Sequence, residues 1–134
     1  MEKPLGIISE PSSATQFDQT LINQLRAARH LVVFTGAGVS QESGIPTFRD
    51  AMTGLWQHFD AEMLVTPPAY AQDRELVWGW YEWRRTLVRR CQPNPAHLAI
   101  AAMSAQLPKL TLLTQNVDDL HERAGSADVV HLHG

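Results

Sequence analysis

The sequence predicts an α/β protein whose core is a parallel sheet. Three short apolar segments, at 31–35, 109–114 and 128–132, have the length and the β-branched content of strands. Helical patterns separate them, and a glycine turn follows the first segment. Strands that alternate with helices pack as a parallel sheet covered by those helices, so we expect the first two strands to be buried.

Composition limits the classes of protein to which the chain can belong. Its 134 residues are enough for one domain with a core. The net charge is −3 and no long lysine/arginine block occurs, so we expect no nucleic-acid partner. No signal-peptide core and no apolar run of roughly 20 residues is present, so we expect a cytoplasmic protein without membrane contact. The single cysteine, Cys91, allows neither an intrachain disulfide nor a cysteine-based zinc site.

The elements before residue 91 follow from periodicity and from turn residues. Residues 1–15 are expected to be a flexible lead-in to one domain at 16–134. Helical spacing of apolar residues predicts a helix over 16–30. A second helix begins near 39 and breaks at Gly44 and Pro46, and 51–74 predict short helices and loops. The strongest helix spans 73–90, with an apolar stripe of Leu76, Trp80, Trp83 and Leu87.

The remaining elements are set by caps. Asn94 can cap a helix that begins at Pro95 and runs to about 106. A short helix over 117–124 ends at Gly125. The helical insert of about 40–90 is long for a crossover between two strands, so we expect it to cover a ligand site. On the helix at 73–90, the predicted solvated basic face consists of Arg85, Arg89 and Arg90.

Two segments after the first strand have loop chemistry. Glycines in Thr35-Gly36-Ala37-Gly38-Val39-Ser40 allow close approach of a pyrophosphate, and Ser40 can add a hydroxyl donor. Gln41 occupies the place of the usual third glycine, so a plain strand-to-helix turn remains open. In the segment 43–50, Arg49 can pair with a phosphate and Phe48 can exclude water, although a surface loop with an exposed arginine is the simpler explanation of this segment alone.

Two further segments lie at predicted strand ends, where open α/β sheets bind ligands. Gln115, Asn116 and Asp118 can recognise an amide or ribose hydroxyls, and a helix N-cap is the alternative. Alternation places His131 and His133 on one face of the third strand. An imidazole can accept a proton near neutral pH. A two-histidine metal site lacks a third ligand nearby in the sequence, so we expect no metal there.

Together the four segments resemble the sirtuin family over about 19–134. Gly36-Ala37-Gly38-Val39-Ser40, with Glu42-Ser43-Gly44-Ile45-Pro46-Thr47-Phe48-Arg49, is similar to the sirtuin cofactor-loop signature. The stretch from Thr114-Gln115-Asn116-Val117-Asp118 through Leu120-His121 to Ala124-Gly125 resembles the nicotinamide-pocket signature. His133-Gly134 resembles the catalytic histidine and its glycine. The segments occur in family order.

The resemblance implies part of a Rossmann-type sheet, and an NAD-dependent protein-lysine deacylase that releases nicotinamide and O-acyl-ADP-ribose. It implies His133 as the general base. Asn116 is implied as a second catalytic residue. The implied NAD-binding residues are Gly36, Ala37, Gly38, Ser40, Ile45, Pro46, Phe48, Arg49, Gln115, Asn116 and Asp118.

One further match concerns the substrate. Tyr81-Glu82-Trp83-Arg84 resembles the Tyr-x-x-Arg pair of sirtuins that remove acidic acyl groups. The two residues lie one helical turn apart, and a hydroxyl with a guanidinium can bind a carboxylate. Succinyl-, malonyl- or glutaryl-lysine proteins are therefore the expected partners, with some deacetylation. Alternatively, Arg84 joins the solvated basic face.

The resemblance also implies parts that this chain lacks. Sirtuins of this kind carry a four-cysteine zinc module and further sheet strands after the catalytic histidine. We therefore expect an incomplete chain that is inactive alone, and that self-associates or binds a complementing C-terminal segment. A non-catalytic NAD-binding or interaction fragment is the main alternative. An NAD glycohydrolase or ADP-ribosyltransferase is a second one.

Overall fold

The computed structural model describes residues 17–47 and 58–133, in which three strands form one sheet. These are β1 (Leu31–Thr35), β2 (Leu110–Thr114) and β3 (Val130–His131). β2 lies in the middle and pairs in parallel with both neighbours. The predicted parallel α/β fold is confirmed. Four predicted features lie outside the described residues: the lead-in at 1–15, Phe48, Arg49 and Gly134.

Seven helices occur in the described residues, and most of them lie between β1 and β2 in the chain, as the predicted insert requires. In chain order they are α1 (Gln19–Ala27), α2 (Gly38–Gln41), α3 (Ala61–Leu64), α4 (Pro67–Gln72), α5 (Arg74–Arg90), α6 (Pro95–Ser104) and α7 (Leu120–Arg123). In these described ranges, no helix is both long enough and apolar enough to cross a bilayer.

The sheet has a covered face and an open one. Thr35 and Thr114 point inward and are buried, with Leu112 beside them. Val32 and Phe34 point outward and are 53% and 58% exposed. The prediction that β1 is fully buried is therefore wrong. Side chains alternate along a strand, and the described helices leave the outer side chains of β1 exposed.

α1 is shorter than the helix predicted over 16–30. The Asp18 side chain accepts the Thr20 N–H, which fixes the start of the helix, and Ala28 is already extended. None of its residues is buried, and Leu21 and Leu25 remain exposed. The apolar spacing therefore correctly indicated a helix without indicating how much of it is buried.

α5 confirms the prediction for 73–90, and its apolar stripe forms the core of the insert. Trp80 is completely buried and clusters with Ala61 and Leu64 of α3. The partly buried side chains of Leu76 and Trp83 pack against this cluster. Burying a large aromatic side chain is worth a few kcal/mol, so this cluster stabilises the insert apart from the sheet.

α6 begins where the sequence predicts, because Asn94 caps it. The Asn94 carboxamide oxygen accepts the N–H groups of Ala96 and His97, and the His97 ring accepts the Asn94 N–H in return. The Asn94 amide group also donates to Val39 O at 2.7 Å and to Ser43 Oγ at 2.9 Å. One side chain thus starts a helix and fixes it against α2.

α7 is only four residues long, although the sequence predicts a helix over 117–124. The Asp118 carboxylate accepts the Leu120 N–H at 3.1 Å, which delays the start of the helix. Gly125 ends it with φ of 100°, as predicted. Residues 115–119 consequently form a loop, here called the site loop, that follows β2.

Candidate functional site

The carboxyl ends of β1 and β2 bring two loops together. Residues 36–38 follow β1, and the site loop follows β2. The Gln115 N–H donates to Thr35 O at 3.0 Å and joins the two. This edge of an open α/β sheet is the usual position of a ligand site.

Ser40 lies at the centre of this edge. Its hydroxyl donates to Asp118 Oδ2 at 2.9 Å and accepts from Asn116 Nδ2 at 3.1 Å. Ser40, Asn116 and Asp118 are all buried. The structure therefore brings three predicted site residues into direct contact, and the Ser40 hydroxyl is committed to the chain itself.

Asp118 has two functions within the chain. Oδ2 accepts from Ser40, while Oδ1 accepts the Leu120 N–H two residues further on. The N-cap residue of α7 is Asp119, and its side chain makes no capping bond, so the capping explanation offered by the sequence is wrong for Asp118. Bonds to both oxygens fix the plane of the carboxylate.

His97 of α6 faces Ser40 inside the protein. The sequence had not indicated it as a site residue. Its Nδ1 accepts the Asn94 N–H at 3.2 Å, so the proton lies on Nε2, which faces Ser40 Oγ at 3.4 Å. Burial lowers the pKa of His97, although the nearby Asp118 opposes this. The ring is consequently neutral at physiological pH.

A second buried network fixes the backbone of Asn116. Thr35 Oγ1 donates to Thr114 Oγ1 at 2.9 Å, and Thr114 Oγ1 also accepts the Asn116 N–H at 3.1 Å. Thr35 Oγ1 in turn faces His121 Nε2 at 2.9 Å, so that nitrogen carries the proton. Burial and the neighbouring His97 ring, 4.8 Å away, lower the pKa of His121.

The sequence analysis missed His97, Thr35 and Thr114. The feature that could have identified them is a polar residue at a position that faces the protein interior. His97 is the third residue of a capped, otherwise apolar helix, and Thr35 and Thr114 end two apolar strands. Inward polar groups in such elements must find partners inside the protein. Here those partners are the candidate site residues themselves.

Residues 36–38, here called the glycine loop, leave space at their surface. A Cβ at Gly38 would meet no atom within 4 Å, and one at Gly36 would meet Gln115 Oε1 at 3.9 Å. Neither glycine has a positive φ. The fold itself therefore does not require glycine at 36 or 38, whereas a group lying against the loop would. Of the other predicted residues nearby, Ala37 and Gln115 are exposed, Ile45 is buried and Pro46 is half-buried.

Tyr81 and Arg84 both contact Trp80 of α5. The Tyr81 ring meets the indole edge to face at 4.9 Å between centroids. The Arg84 guanidinium lies over the same indole at 5.2 Å. Burial lowers the pKa of Arg84, while Tyr81 and Asp118 favour its charged form. Arg84 is therefore half-buried and within electrostatic reach of the site, unlike the exposed Arg85, Arg89 and Arg90.

The two predicted histidines at the third strand have different surroundings. His131 is half-buried and contacts both the site loop and α7, as described below. His133 lies two residues beyond β3 and is exposed. Across residues 17–47 and 58–133, no group of three histidine, cysteine or acidic side chains could hold a metal ion.

A parallel sheet with a glycine turn after its first strand is typical of the Rossmann-type class of α/β protein. Residues 36–134 match the Sir2 family model, and the chain belongs to that family.

Proteins of similar sequence agree with this family assignment. The chain is 66% identical over 119 residues to an NAD-dependent protein deacylase of Methylococcus capsulatus, covering 89% of this chain and 47% of the relative. It is 64% identical over 116 residues to NAD-dependent protein deacylase 1 of Pseudomonas aeruginosa, covering 87% and 46%. The chain thus spans about half the length of these relatives.

Solved structures give the same result. A Sir2 homolog–NAD complex is 51% identical, with a TM-score of 0.78, over 89% of this chain and 46% of that one. Sir2Tm bound to a propionylated peptide is 28% identical, with a TM-score of 0.66, over 86% and 44%. The partial Rossmann-type sheet predicted from the sequence is confirmed by these neighbours.

Proposed function

We propose that this chain forms part of an NAD-dependent protein-lysine deacylase. The observation that carries the proposal is the buried contact of Ser40 with Asn116 and Asp118 at the carboxyl edge of the sheet, beside an open glycine loop. The names of relatives that are up to 66% identical support the reaction class. The peptide complex among the solved neighbours supports a protein substrate.

NAD fits the chemistry of this edge. Gly36 and Gly38 present backbone without a side chain to a pyrophosphate, and a Cβ added at Gly38 would meet no atom within 4 Å. Gln115, Asn116 and Asp118 offer amide and carboxylate groups to ribose and nicotinamide. When bound, NAD supplies a ribose carbon that the acyl oxygen can attack and from which nicotinamide leaves. Ile45, Pro46, Phe48 and Arg49 are assigned to the loop beside it by family resemblance.

Two residues are proposed to take part in the reaction. His133 accepts a proton from a ribose hydroxyl, for which its exposure beyond β3 leaves room. Asn116 orients the reacting groups. Its side chain is already fixed by Ser40 and its N–H by Thr114, so it loses little freedom when it binds.

The acyl group is proposed to be acidic. Arg84 is held over the Trp80 indole and Tyr81 against its edge, so a hydroxyl and a guanidinium lie on neighbouring turns of α5. A succinyl, malonyl or glutaryl carboxylate can accept from both groups. Half-burial of Arg84 strengthens such a pairing, because less water competes for the charge.

The test compares acetyl- and succinyl-lysine peptides with NAD, following peptide mass and free nicotinamide, in the protein that carries this chain. Arg84→Met should lower kcat/KM for the succinyl peptide about 10- to 100-fold, the value of a hydrogen bond to a charged group, and leave the acetyl peptide nearly unchanged. Arg85→Met is the matched control, since Arg85 is exposed and pairs with Glu82 at 2.9 Å.

The alternatives give different outcomes in the same assay. An equal loss for both peptides would refute the acidic-acyl assignment. NAD binding without loss of either acyl group would favour a non-catalytic module. Nicotinamide release without any acyl-lysine would favour a glycohydrolase or an ADP-ribosyltransferase.

A further inference from the structure

His131 connects three parts of the site. It lies in β3, at the strand end beside the site loop. Its Nδ1 is 2.7 Å from Asn116 O, and its Nε2 is 2.6 Å from Glu122 Oε1 of α7. Both distances are short for hydrogen bonds to nitrogen, which is typical when the donor is charged.

The identity of the two acceptors fixes the protonation of the ring. A backbone carbonyl and a carboxylate can only accept, so both ring nitrogens must donate, and His131 is an imidazolium when both bonds are present. A neutral ring carries one proton and must give up one of the two bonds. The double contact therefore exists only in the charged form.

This contact completes the fixation of the Asn116 backbone, whose two flanking peptide groups are then both held. The Asn116 N–H is held by Thr114 Oγ1, and the Asn116 carbonyl is held by His131. The Asn116 side chain is held separately by Ser40. Without His131, the loop could rotate about its Thr114 anchor and move Asn116 relative to Asp118.

We propose that His131 is a positioning residue, which as an imidazolium fixes the Asn116 carbonyl and so orders the site loop for its ligand. The assignment of that ligand as NAD rests on the function proposed above. The sequence had indicated no such positioning role for either His131 or His133.

The charges around His131 favour this state. The hydrogen bonds that His131 donates to Glu122 and to the Asn116 carbonyl raise the pKa of His131, and Asp118 adds to this, whereas partial burial opposes it. The other titratable neighbour is His121 on α7, which is kept neutral by burial. The imidazolium and its loop contact should therefore persist above pH 6.5, the ordinary histidine pKa, and weaken as the pH rises through the raised pKa.

Nuclear magnetic resonance on the protein that carries this chain tests the coupling directly. We expect the His131 ring nitrogens to titrate above pH 6.5, and the Asn116 carbonyl carbon shift to follow the same midpoint. Glu122→Gln keeps an acceptor and removes the charge, so it should lower that midpoint. An Asn116 carbonyl that ignores the His131 titration would overturn the proposal, and this measurement on the unmodified chain does not depend on any variant folding.

Two isosteric variants separate the two contacts. His131→Asn places an amide nitrogen near the Nδ1 position and should keep the Asn116 contact. We expect wild-type hydrogen exchange at the Asn116 N–H, and no change in the loop contact with pH, because residue 131 no longer titrates. His131→Gln reaches only towards Glu122 and should raise that exchange rate about 10-fold, the loss of one hydrogen bond from a charged donor. Equal exchange in the two variants would contradict the positioning role.

NAD titration of the same samples distinguishes this inference from the proposed function. Weaker NAD binding in His131→Gln than in His131→Asn would support both. NAD binding that is equal in the two variants, despite a loosened loop, would refute the functional part of the inference. No NAD binding by any protein, with the carbonyl coupling intact, would count against the proposed ligand and leave the positioning of the loop established.

Discussion

Ser40 is a single hydroxyl on which three other side chains depend. It donates to Asp118, accepts from Asn116 and faces the His97 ring. With only 1% of its surface exposed, water cannot replace these contacts. Removing one partner from a buried polar cluster leaves the others unsatisfied, which costs more than the bond itself contributes.

We therefore expect Ser40→Ala to lower the free energy of unfolding by about 1–3 kcal/mol. The matched control is Ser104→Ala in α6, whose hydroxyl is exposed and donates only to Ala101 O. That change should stay within about 0.5 kcal/mol. Urea denaturation of both variants checks this, and similar losses in the two would argue against a cooperative buried cluster.

Two glycines allow backbone strain to be separated from space. An added Cβ meets nothing within 4 Å at either Gly38 or Gly125, but only Gly125 has a positive φ. Gly125→Ala should cost about 1–2 kcal/mol of stability, because L-residues avoid that conformation. Gly38→Ala should be neutral, or stabilising by up to about 1 kcal/mol.

The same pair of variants tests the glycine loop as a ligand surface. Gly38→Ala should weaken NAD binding despite its unimpaired stability, whereas Gly125→Ala should not affect binding beyond its effect on folding. Denaturation curves and NAD titrations on the two proteins decide this. Undiminished NAD binding by Gly38→Ala would mean that nothing approaches the loop closely there.

At the scale of elements, helix caps differ in how much they do. Asp73 caps α5 by accepting the Leu76 N–H at 2.9 Å at an exposed site. Asn94 caps α6 and also donates to Val39 O and Ser43 Oγ of the segment around α2. One cap fixes only its own helix, whereas the other fixes two elements beside the site.

We expect Asp73→Ala to cost about 1 kcal/mol, the usual value of a cap. Asn94→Ala should cost at least 2 kcal/mol, about the upper limit for a cap, because two further buried groups lose their partner. Thermal or urea unfolding monitored by circular dichroism compares them. Equal losses would show that the contacts of Asn94 with α2 contribute little.

At the scale of the whole molecule, histidines give stability opposite dependences on pH. Burial lowers the pKa of His97 and His121, so their contribution is complete above about 6.5 and is lost as the pH falls below it. The pKa of His131 is raised, so its contribution is complete below about 6.5 and is lost as the pH rises through the raised value.

We therefore expect the free energy of unfolding to be greatest near pH 6.5 and to fall on both sides. In His131→Asn the decline on the alkaline side should disappear, while the decline on the acid side remains. Urea denaturation between pH 5 and 9 measures both limbs. A wild-type alkaline limb in the variant would assign that decline to other groups.

The outer face of the sheet predicts association. Val32 and Phe34 of β1, and Val130 of β3 with Leu132 just after it, are each 44–58% exposed, on the two strands that flank β2. Contiguous apolar surface of this kind favours contact with another copy or with a complementing segment. Phe34→Lys should shift the chain from concentration-dependent association towards monomer in sedimentation velocity. Met63→Lys, at an exposed apolar residue of α3, should not, and monomeric wild-type chain would contradict the prediction.

Local patterns determined much of this protein from sequence alone. A β-branched run bounded by glycine predicted β1, and a short apolar run after Pro108 predicted β2, because extended backbone is favoured by local sequence. The cap at Asn94 and the left-handed Gly125, both predicted, set helix ends within one chain segment. The location of Asn116 and Asp118 could also be predicted, since residues that follow parallel strands meet at one edge of the sheet.

Only the tertiary structure decided which polar groups meet and which faces are covered. The contacts of Ser40 with His97 and Asp118 join residues 57 and 78 positions apart, and no local pattern encodes such a distance. The same holds for the bond between His131 and Asn116, and for the open outer face of β1. Burial and hydrogen-bond partnership depend on packing between distant elements, so they are fixed only when the chain has folded.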